Sequence, residues 1–203
     1  MSISVREAGT LTGYRGRVYD IIRSSLTPLG RINTALDVGA GEGWYAHQLV
    51  EDHVIERVDA VETFRRKHVI VEPILYDGRT LPARDRAYDL VYAIDVIHHA
   101  DDPLSLLQEL ARASNQWILL KDHTWSTGIG RFTLALLDEL GNRRFGIPSP
   151  GHYQQKWAWV EFLRTLGFEK RSLSYPAVCQ RGLLGALTNS LQFVAVFERR
   201  HED

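Results

Sequence analysis

The chain has 203 residues, 44% of them hydrophobic and 24% charged, with a formal net charge of -1. That length suits one domain with its own core, and the near-zero charge excludes a global field drawing the chain to nucleic acid or an anionic membrane. The single cysteine, Cys179, excludes an intrachain disulfide and points to a reducing, cytoplasmic setting.

Met1 to Gly13 is mixed and polar, without the apolar centre of a secretory signal. Tyr14 to Leu26 predicts a helix, because Val18, Ile21, Ile22 and Leu26 recur at helical spacing, and Pro28 and Gly30 end it. Residues 1–30 are therefore expected to form a helical cap. Thr34 to Val38 is a short apolar strand running into a glycine loop, and Glu42 to Val50 is the helix after it. Val54 to Glu62 and Val69 to Leu75 are the second and third strands, and Tyr88 to Asp95 the fourth. Pro103 to Ala113 is a helix with proline in its favoured first turn. Gln116 to Lys121 is the fifth strand. Gly130 to Leu140 and Lys156 to Leu166 are amphipathic helices, and Phe168 to Tyr175 and Leu191 to Glu198 close the chain as strands. No apolar run approaches the roughly 20 residues of a membrane helix.

Alternating strands and helices imply an α/β, doubly wound, Rossmann-like fold: a mostly parallel seven-stranded sheet with helices on both faces. No helical pattern separates the last two strands, so a hairpin and an antiparallel last strand are expected. Only residues 63–68 separate the second and third strands, too few for a crossover helix.

The decisive segment is Leu36-Asp37-Val38-Gly39-Ala40-Gly41-Glu42-Gly43. Glycines at two-residue spacing permit a tight turn and bring backbone amides against a ligand, in the crevice where doubly wound folds bind. A dinucleotide loop requires glycine or alanine at the sixth position from Gly39, where this chain has Trp44. The carboxylates of Asp37 and Glu42 suit a cationic ligand better than a pyrophosphate.

This loop resembles the first motif of the class I S-adenosylmethionine-dependent methyltransferases, small-molecule branch, and three further segments resemble that family in order. Glu62 ends Val58-Asp59-Ala60-Val61-Glu62 at the place of the ribose-binding acid, with Asp59 as its fallback. Tyr76-Asp77-Gly78 with Leu81-Pro82 looks like the adenine loop. Tyr88-Asp89-Leu90-Val91, Asp95-Val96-Ile97-His98-His99 and Asp101-Asp102-Pro103 resemble the fourth-strand region. The resemblance spans about Ala35 to Leu120. It implies S-adenosylmethionine as cofactor, S-adenosylhomocysteine as product, and a cofactor site of Asp37, Gly39, Ala40, Gly41, Glu62, Tyr76, Asp77, Gly78, Asp95 and Val96. Tyr14 or Arg17 of the cap would reach the methionine carboxylate.

In-line methyl transfer needs alignment, and a base where the nucleophile carries a tightly held proton. His98 and His99 follow the fourth strand and His123 the fifth, so a base is expected among these three, packing or capping being the alternative. Asp122 adjoins His123 but need not pair with it, since neighbours point apart. No metal is expected, because no short ligand spacing exists. Thr124 to Gln155 mixes Trp125, Phe132, Phe145, His152 and Tyr153 with glycines and prolines and is expected to be a substrate lid. Arg143 and Arg144 are read as a solvated turn.

The expected function is methyl transfer to oxygen, nitrogen or carbon of a small biosynthetic acceptor, by a monomer or homodimer without nucleic-acid or membrane partners. The alternatives are a silent cofactor-binding module and a protein or nucleic-acid methyltransferase. Against the latter, Asp95-Val96-Ile97-His98 stands where an Asn-Pro-Pro-Tyr type motif would be.

Overall fold

The computed structural model describes residues 13–128, 130, 132–134 and 152–200. Its elements in chain order are α1 (Gly13–Leu26), β1 (Ile32–Val38), α2 (Trp44–Glu51), β2 (Ile55–Glu62), β3 (Ile74–Leu75), β4 (Tyr88–Ile94), α3 (Pro103–Ala113), β5 (Ser114–Trp125), β6 (Gln154–Gln155), α4 (Ala158–Thr165), β7 (Phe168–Ser174), α5 (Gly182–Thr188) and β8 (Gln192–Arg199). The sheet order is β3-β2-β1-β4-β5-β8-β7, with β6 pairing β5 off that path. β1 runs parallel to both β2 and β4, β5 runs parallel to β4, and β8 is antiparallel to β5 and β7. This is the doubly wound fold expected from the sequence.

Two apolar layers sandwich the sheet. On one face Leu106, Leu107 and Leu110 of α3 and Trp159 and Leu163 of α4 pack against Val38, Val91, Ile118 and Phe193. On the other, Val18, Tyr19, Ile22 and Leu26 of α1 and Leu49 of α2 cover Ala35, Leu90, Leu119 and Val194. Strands covered on both faces read as continuous apolar runs, and Phe193–Phe197 is buried at every position. Among the described residues no helix is long and apolar enough to cross a membrane.

Three expectations need correction. The third strand shrinks from Val69–Leu75 to Ile74–Leu75, because Ile70 N–H donates to the Glu42 carbonyl at 2.7 Å and Val71 lies over Gly43. The apolar residues that suggested a strand instead close over the glycine loop. The fifth strand extends to Trp125, so Lys121, Asp122 and His123 lie within it; β8 pairs along it as far as His123 opposite Gln192. The last two strands pair as expected, but α5 lies between them, and β8 sits inside the sheet while β7 takes the edge. The seven-residue sequence of α5, with two glycines, is too short to show a helical period. The second crossover contains no helix, as its length required.

Most of the expected lid, residues 135–151 with Phe145, Arg143 and Arg144, lies outside the described residues, as do residues 1–12 of the cap.

Candidate active site

At the carboxyl ends of β1, β2, β4 and β5 opens a cavity of about 730 Å³. β1 has β2 on one side and β4 on the other, the point where a doubly wound sheet reverses its winding and where such folds bind ligands. Gly39, Glu62, Tyr76, Asp77, Gly78, Asp95, Val96, His98, His99 and His123 line it, ten of the thirteen residues expected at the site. Asp37, Ala40 and Gly41 support the same crevice from β1 and the loop after it.

The glycine loop is shaped by contacts that exclude side chains. Gly39 has φ of +72°, and a Cβ there would fall 2.5 Å from Val96 Cγ2. The N–H groups of Gly39 and Ala40 both donate to the Val61 carbonyl, at 3.0 and 3.1 Å, tying the loop to β2. Gly41 N–H donates to Glu62 Oε2 at 2.9 Å, and Thr63 N–H donates to Glu62 Oε1 at 2.8 Å. The Glu62 carboxylate is thus fixed at the cavity wall. Asp59, the fallback, accepts instead from Tyr88 Oη at 2.9 Å, outside the cavity lining.

Asp37 is 2% exposed, and its Oδ2 has no hydrogen-bond partner among the described residues. Burial pushes its carboxyl up to about 7; the Tyr92 hydroxyl beside it pulls the other way, and the charge of Glu62 adds to the rise. Glu42, by contrast, pairs with Arg15 at 2.8 Å on the surface and is not part of the site. Trp44 packs edge-on against Tyr19 and Tyr45, so it joins α2 to α1. Asp77 turns its own loop, accepting from the N–H groups of Arg79 and Thr80 at 2.9 and 2.8 Å, and these bonds hold its carboxyl below the usual range.

Strand alternation then separates the two charged residues of β5 onto opposite faces. Lys121, fully buried, reaches the α1 side and donates to Asp95 Oδ1 at 2.5 Å and to the Tyr14 hydroxyl. Tyr14 Oη in turn donates to Asp95 Oδ2 at 2.9 Å. Burial pushes the Asp95 carboxyl up, but Lys121, aided by His123 and His98, holds it below the ordinary value. Tyr14 lines the cavity, whereas Arg17 is engaged with the Cys179 carbonyl at 2.8 Å.

Asp122 faces the α3 side. Its Oδ1 lies 2.6 Å from His98 Nδ1 and accepts from His123 N–H at 2.7 Å, and its Oδ2 accepts from Ile97 N–H at 3.1 Å. His98 stacks on Tyr153 with ring centroids 5.2 Å apart, and the rings of His99 and His123 lie 4.0 and 5.1 Å away. His152 is exposed, its Nδ1 3.0 Å from the Ala100 carbonyl. Donor atoms of His98, Asp122 and His123 come within 4.8 Å of one another, and two of them are already at hydrogen-bond distance.

The pairing of Asp122 with His98 at 2.6 Å, closer than the 3.4 Å to the ring of its neighbour His123, was not visible in the sequence. Nor was the clustering of buried Lys121 with Asp95 and Tyr14. An uninterrupted strand from Ser114 to Trp125 would have revealed both faces through its alternation. The charged residues Lys121 and Asp122 broke that pattern on paper.

The family described as "Methyltransferase domain" matches residues 36–116. No curated protein matches the chain. Among solved structures, the chain is similar to an S-adenosylmethionine-dependent methyltransferase from Mesorhizobium loti, with 15% identity and a TM-score of 0.66 over 92% of this chain and 100% of that one. It is similar to a methyltransferase from Aquifex aeolicus, at 17% identity and a TM-score of 0.59 over 93% and 94% of the two chains. A third is the magnesium protoporphyrin IX methyltransferase from Synechocystis PCC 6803 with bound S-adenosylhomocysteine, at 14% identity and a TM-score of 0.61 over 92% and 84%. At such identities the likeness speaks for the fold.

Proposed function

We propose that this chain, a class I S-adenosylmethionine-dependent methyltransferase by its fold and by the family match over residues 36–116, moves a methyl group to a small-molecule acceptor. The observation that carries the reading is the Glu62 carboxylate, fixed at the cavity wall beside a glycine loop that leaves no room for a side chain at Gly39. Glu62, with both oxygens fixed at the cavity wall, suits the paired hydroxyls of a ribose. Tyr76, Asp77 and Gly78 suit the base beside it, and Asp95 and Val96 the methionine end.

Bound there, S-adenosylmethionine supplies a methyl group on a sulfonium. The chain's own part is to orient the acceptor and exclude water. A volume of about 730 Å³ lies within the range of small-molecule sites and holds a cofactor with a small acceptor. Leu106, Leu134, Tyr153 and the three histidines form the acceptor end. A concave pocket of this volume suits a small molecule, and no basic stripe in the sequence argues for nucleic acid. Isothermal calorimetry tests the reading: S-adenosylhomocysteine is expected to bind at micromolar concentration and NAD not at all. Binding of NAD in preference to S-adenosylhomocysteine would sink it.

A further inference from the structure

We propose that α5 and its flanks form the recognition wall for the acceptor, and that the acceptor is an uncharged amphiphile: a compact polar head inside the cavity and an apolar chain or ring system laid across α5. This rests on the methyltransferase reading above and narrows its acceptor.

The wall residues recur at helical spacing. Gln180, Leu184, Thr188 and Gln192 all line the cavity, each four residues after the last. Side chains four apart on a helix share one face, so α5 presents Leu184 and Thr188 together, with Gln180 just before it and Gln192 at the start of β8. Gln192 pairs opposite His123 of β5, and β1, β4 and β5 separate β8 from β2. The wall therefore belongs to the histidine end of the cavity, far from Glu62.

The segment is held in place by its own backbone. Asn189 accepts from the Gln180 N–H at 2.9 Å and donates to the Gln180 carbonyl at 3.0 Å. A Cβ at Gly185 would fall 2.5 Å from that same carbonyl oxygen, so only glycine lets α5 sit so close. Ala177 N–H donates to the Gln192 carbonyl at 2.9 Å and closes the base of the segment.

The polar groups of the wall are neutral and oriented. Arg17 donates to Gln180 Oε1 at 3.3 Å, and a guanidinium can only donate, so the carboxamide oxygen faces Arg17 and the amide hydrogens point away from it. The Thr188 hydroxyl gives its hydrogen to the Leu184 carbonyl at 2.7 Å, which leaves its oxygen as an acceptor. The ionised groups behind the wall are already engaged: Lys121 with Asp95, Asp122 with the N–H groups of Ile97 and His123, and Arg17 with the Cys179 carbonyl. A charged head would meet no counter-charge on this wall while losing its hydration, which is costly.

The apolar surface continues beyond the cavity. Leu184 is 45% exposed, and Leu183 and Leu187 of the same helix are 79% and 60% exposed. Three leucines on a seven-residue helix, one of them in the cavity wall, make a strip from the acceptor end to the outer surface. Exposed apolar strips rimmed by polar residues mark binding surfaces. Continuity with the cavity identifies the occupant as the outer part of the molecule held inside it.

N-phenyl-1-naphthylamine, a neutral dye that fluoresces in apolar surroundings, reads the strip in protein saturated with S-adenosylhomocysteine. 1-Hexanol, 1-octanol and 1-decanol are expected to displace the dye with affinity rising about fourfold per methylene, the worth of burying one CH2. Octanol is expected to bind at least tenfold more tightly than octanoate or octylammonium. Leu184→Asp, at a half-exposed position, is expected to lower octanol affinity at least tenfold with the affinity for S-adenosylhomocysteine unchanged in calorimetry. No dye signal in the wild type, affinity that does not grow with chain length, a charged head bound as well as octanol, or an unaffected Leu184→Asp would each overturn the proposal. So would a wild-type dimer that dissociates in Leu187→Asp, which would give the leucine strip to a second copy of the chain. Failure of S-adenosylhomocysteine to bind would strike the cofactor reading, whereas its binding without dye or alkanol binding sinks the acceptor proposal alone.

Discussion

Two carboxylates at the ends of β1 and β2 each have their own test. Asp37 sits in a folded environment that raises its carboxyl from just under 4 to about 7, mainly by burial. Between those values the folded state holds a proton that the unfolded chain has already released. Stability from this group is therefore greatest below about pH 4, falls as pH rises and reaches its minimum above about 7. Asp37→Asn is expected to flatten that slope in denaturant unfolding of the ligand-free protein; an unchanged slope would show that another group governs it. A cationic ligand reverses the preference by favouring the ionised form, so cofactor affinity should rise with pH through about 7, with proton release on binding. Calorimetry in buffers of different ionisation enthalpy measures that proton directly. Glu62 has its carboxylate anchored by Gly41 and Thr63. A hydrogen bond to a charged group contributes about 1.5–3 kcal/mol, so Glu62→Ala is expected to weaken S-adenosylhomocysteine binding at least tenfold. Asp59→Ala, which removes a partner of Tyr88 and of Arg57 outside the cavity lining, should leave affinity within about twofold. The reverse ranking would place the ribose on the wrong acid.

Among the elements, the glycine loop and the start of α3 carry the sharpest expectations. Gly39→Ala puts a methyl group where Val96 Cγ2 already stands, at a φ of +72° that side chains rarely adopt. The loop must shift, and because the same residues line the cavity, cofactor binding should be lost before the fold is. Intact far-ultraviolet dichroism with no S-adenosylhomocysteine binding is the expected pair of results; normal binding would mean the loop does not touch the cofactor. At α3, Asp102 Oδ1 accepts from Leu104 and Ser105 N–H at 3.1 and 3.2 Å, with Pro103 as the first helical residue. Removing such a cap costs about 1 kcal/mol. Asp102→Ala should therefore lower stability by that amount while leaving cofactor affinity unchanged, since the side chain lies outside the cavity lining.

For the whole molecule, the position of β8 matters most. It lies between β5 and β7, its Phe193 and Phe197 are fully exposed to neither face, and its register puts Gln192 opposite His123 and Val194 opposite Lys121. The strand thus supports β5 from Trp117 to His123. Phe197 lies at the far end of that pairing, opposite Ile118 and away from the cavity. Phe197→Ala leaves a core cavity and is expected to destabilise by about 3–5 kcal/mol, lowering Tm by several degrees in a chain of this size. The fraction still folded should bind S-adenosylhomocysteine normally. Loss of affinity in that fraction would mean that the sheet edge and the site are one mechanical unit.

The alternation of apolar strands with helical periods determined the fold class, and the run from Leu36 to Gly43 determined where the site opens. Both are local patterns, in which burial on two faces or freedom at φ dictates residue type directly. Glu62, Asp77, His98 and His99 could be placed at the cavity for the same reason, as residues at or shortly after strand ends, whereas His123 lies within β5. The tertiary structure decided what no local pattern encodes. Only the parallel pairing of β4 with β5 brings Asp122 to His98, 24 residues apart, and only the packing of α1 joins Tyr14 to Asp95 and Lys121. Val69 to Val71 had the composition of a strand, but the Glu42 carbonyl claimed its N–H groups. Hydrogen-bond competition between distant segments settled that choice. A side chain's partner depends on which strand lies next to its own, and strand order is a property of the folded sheet.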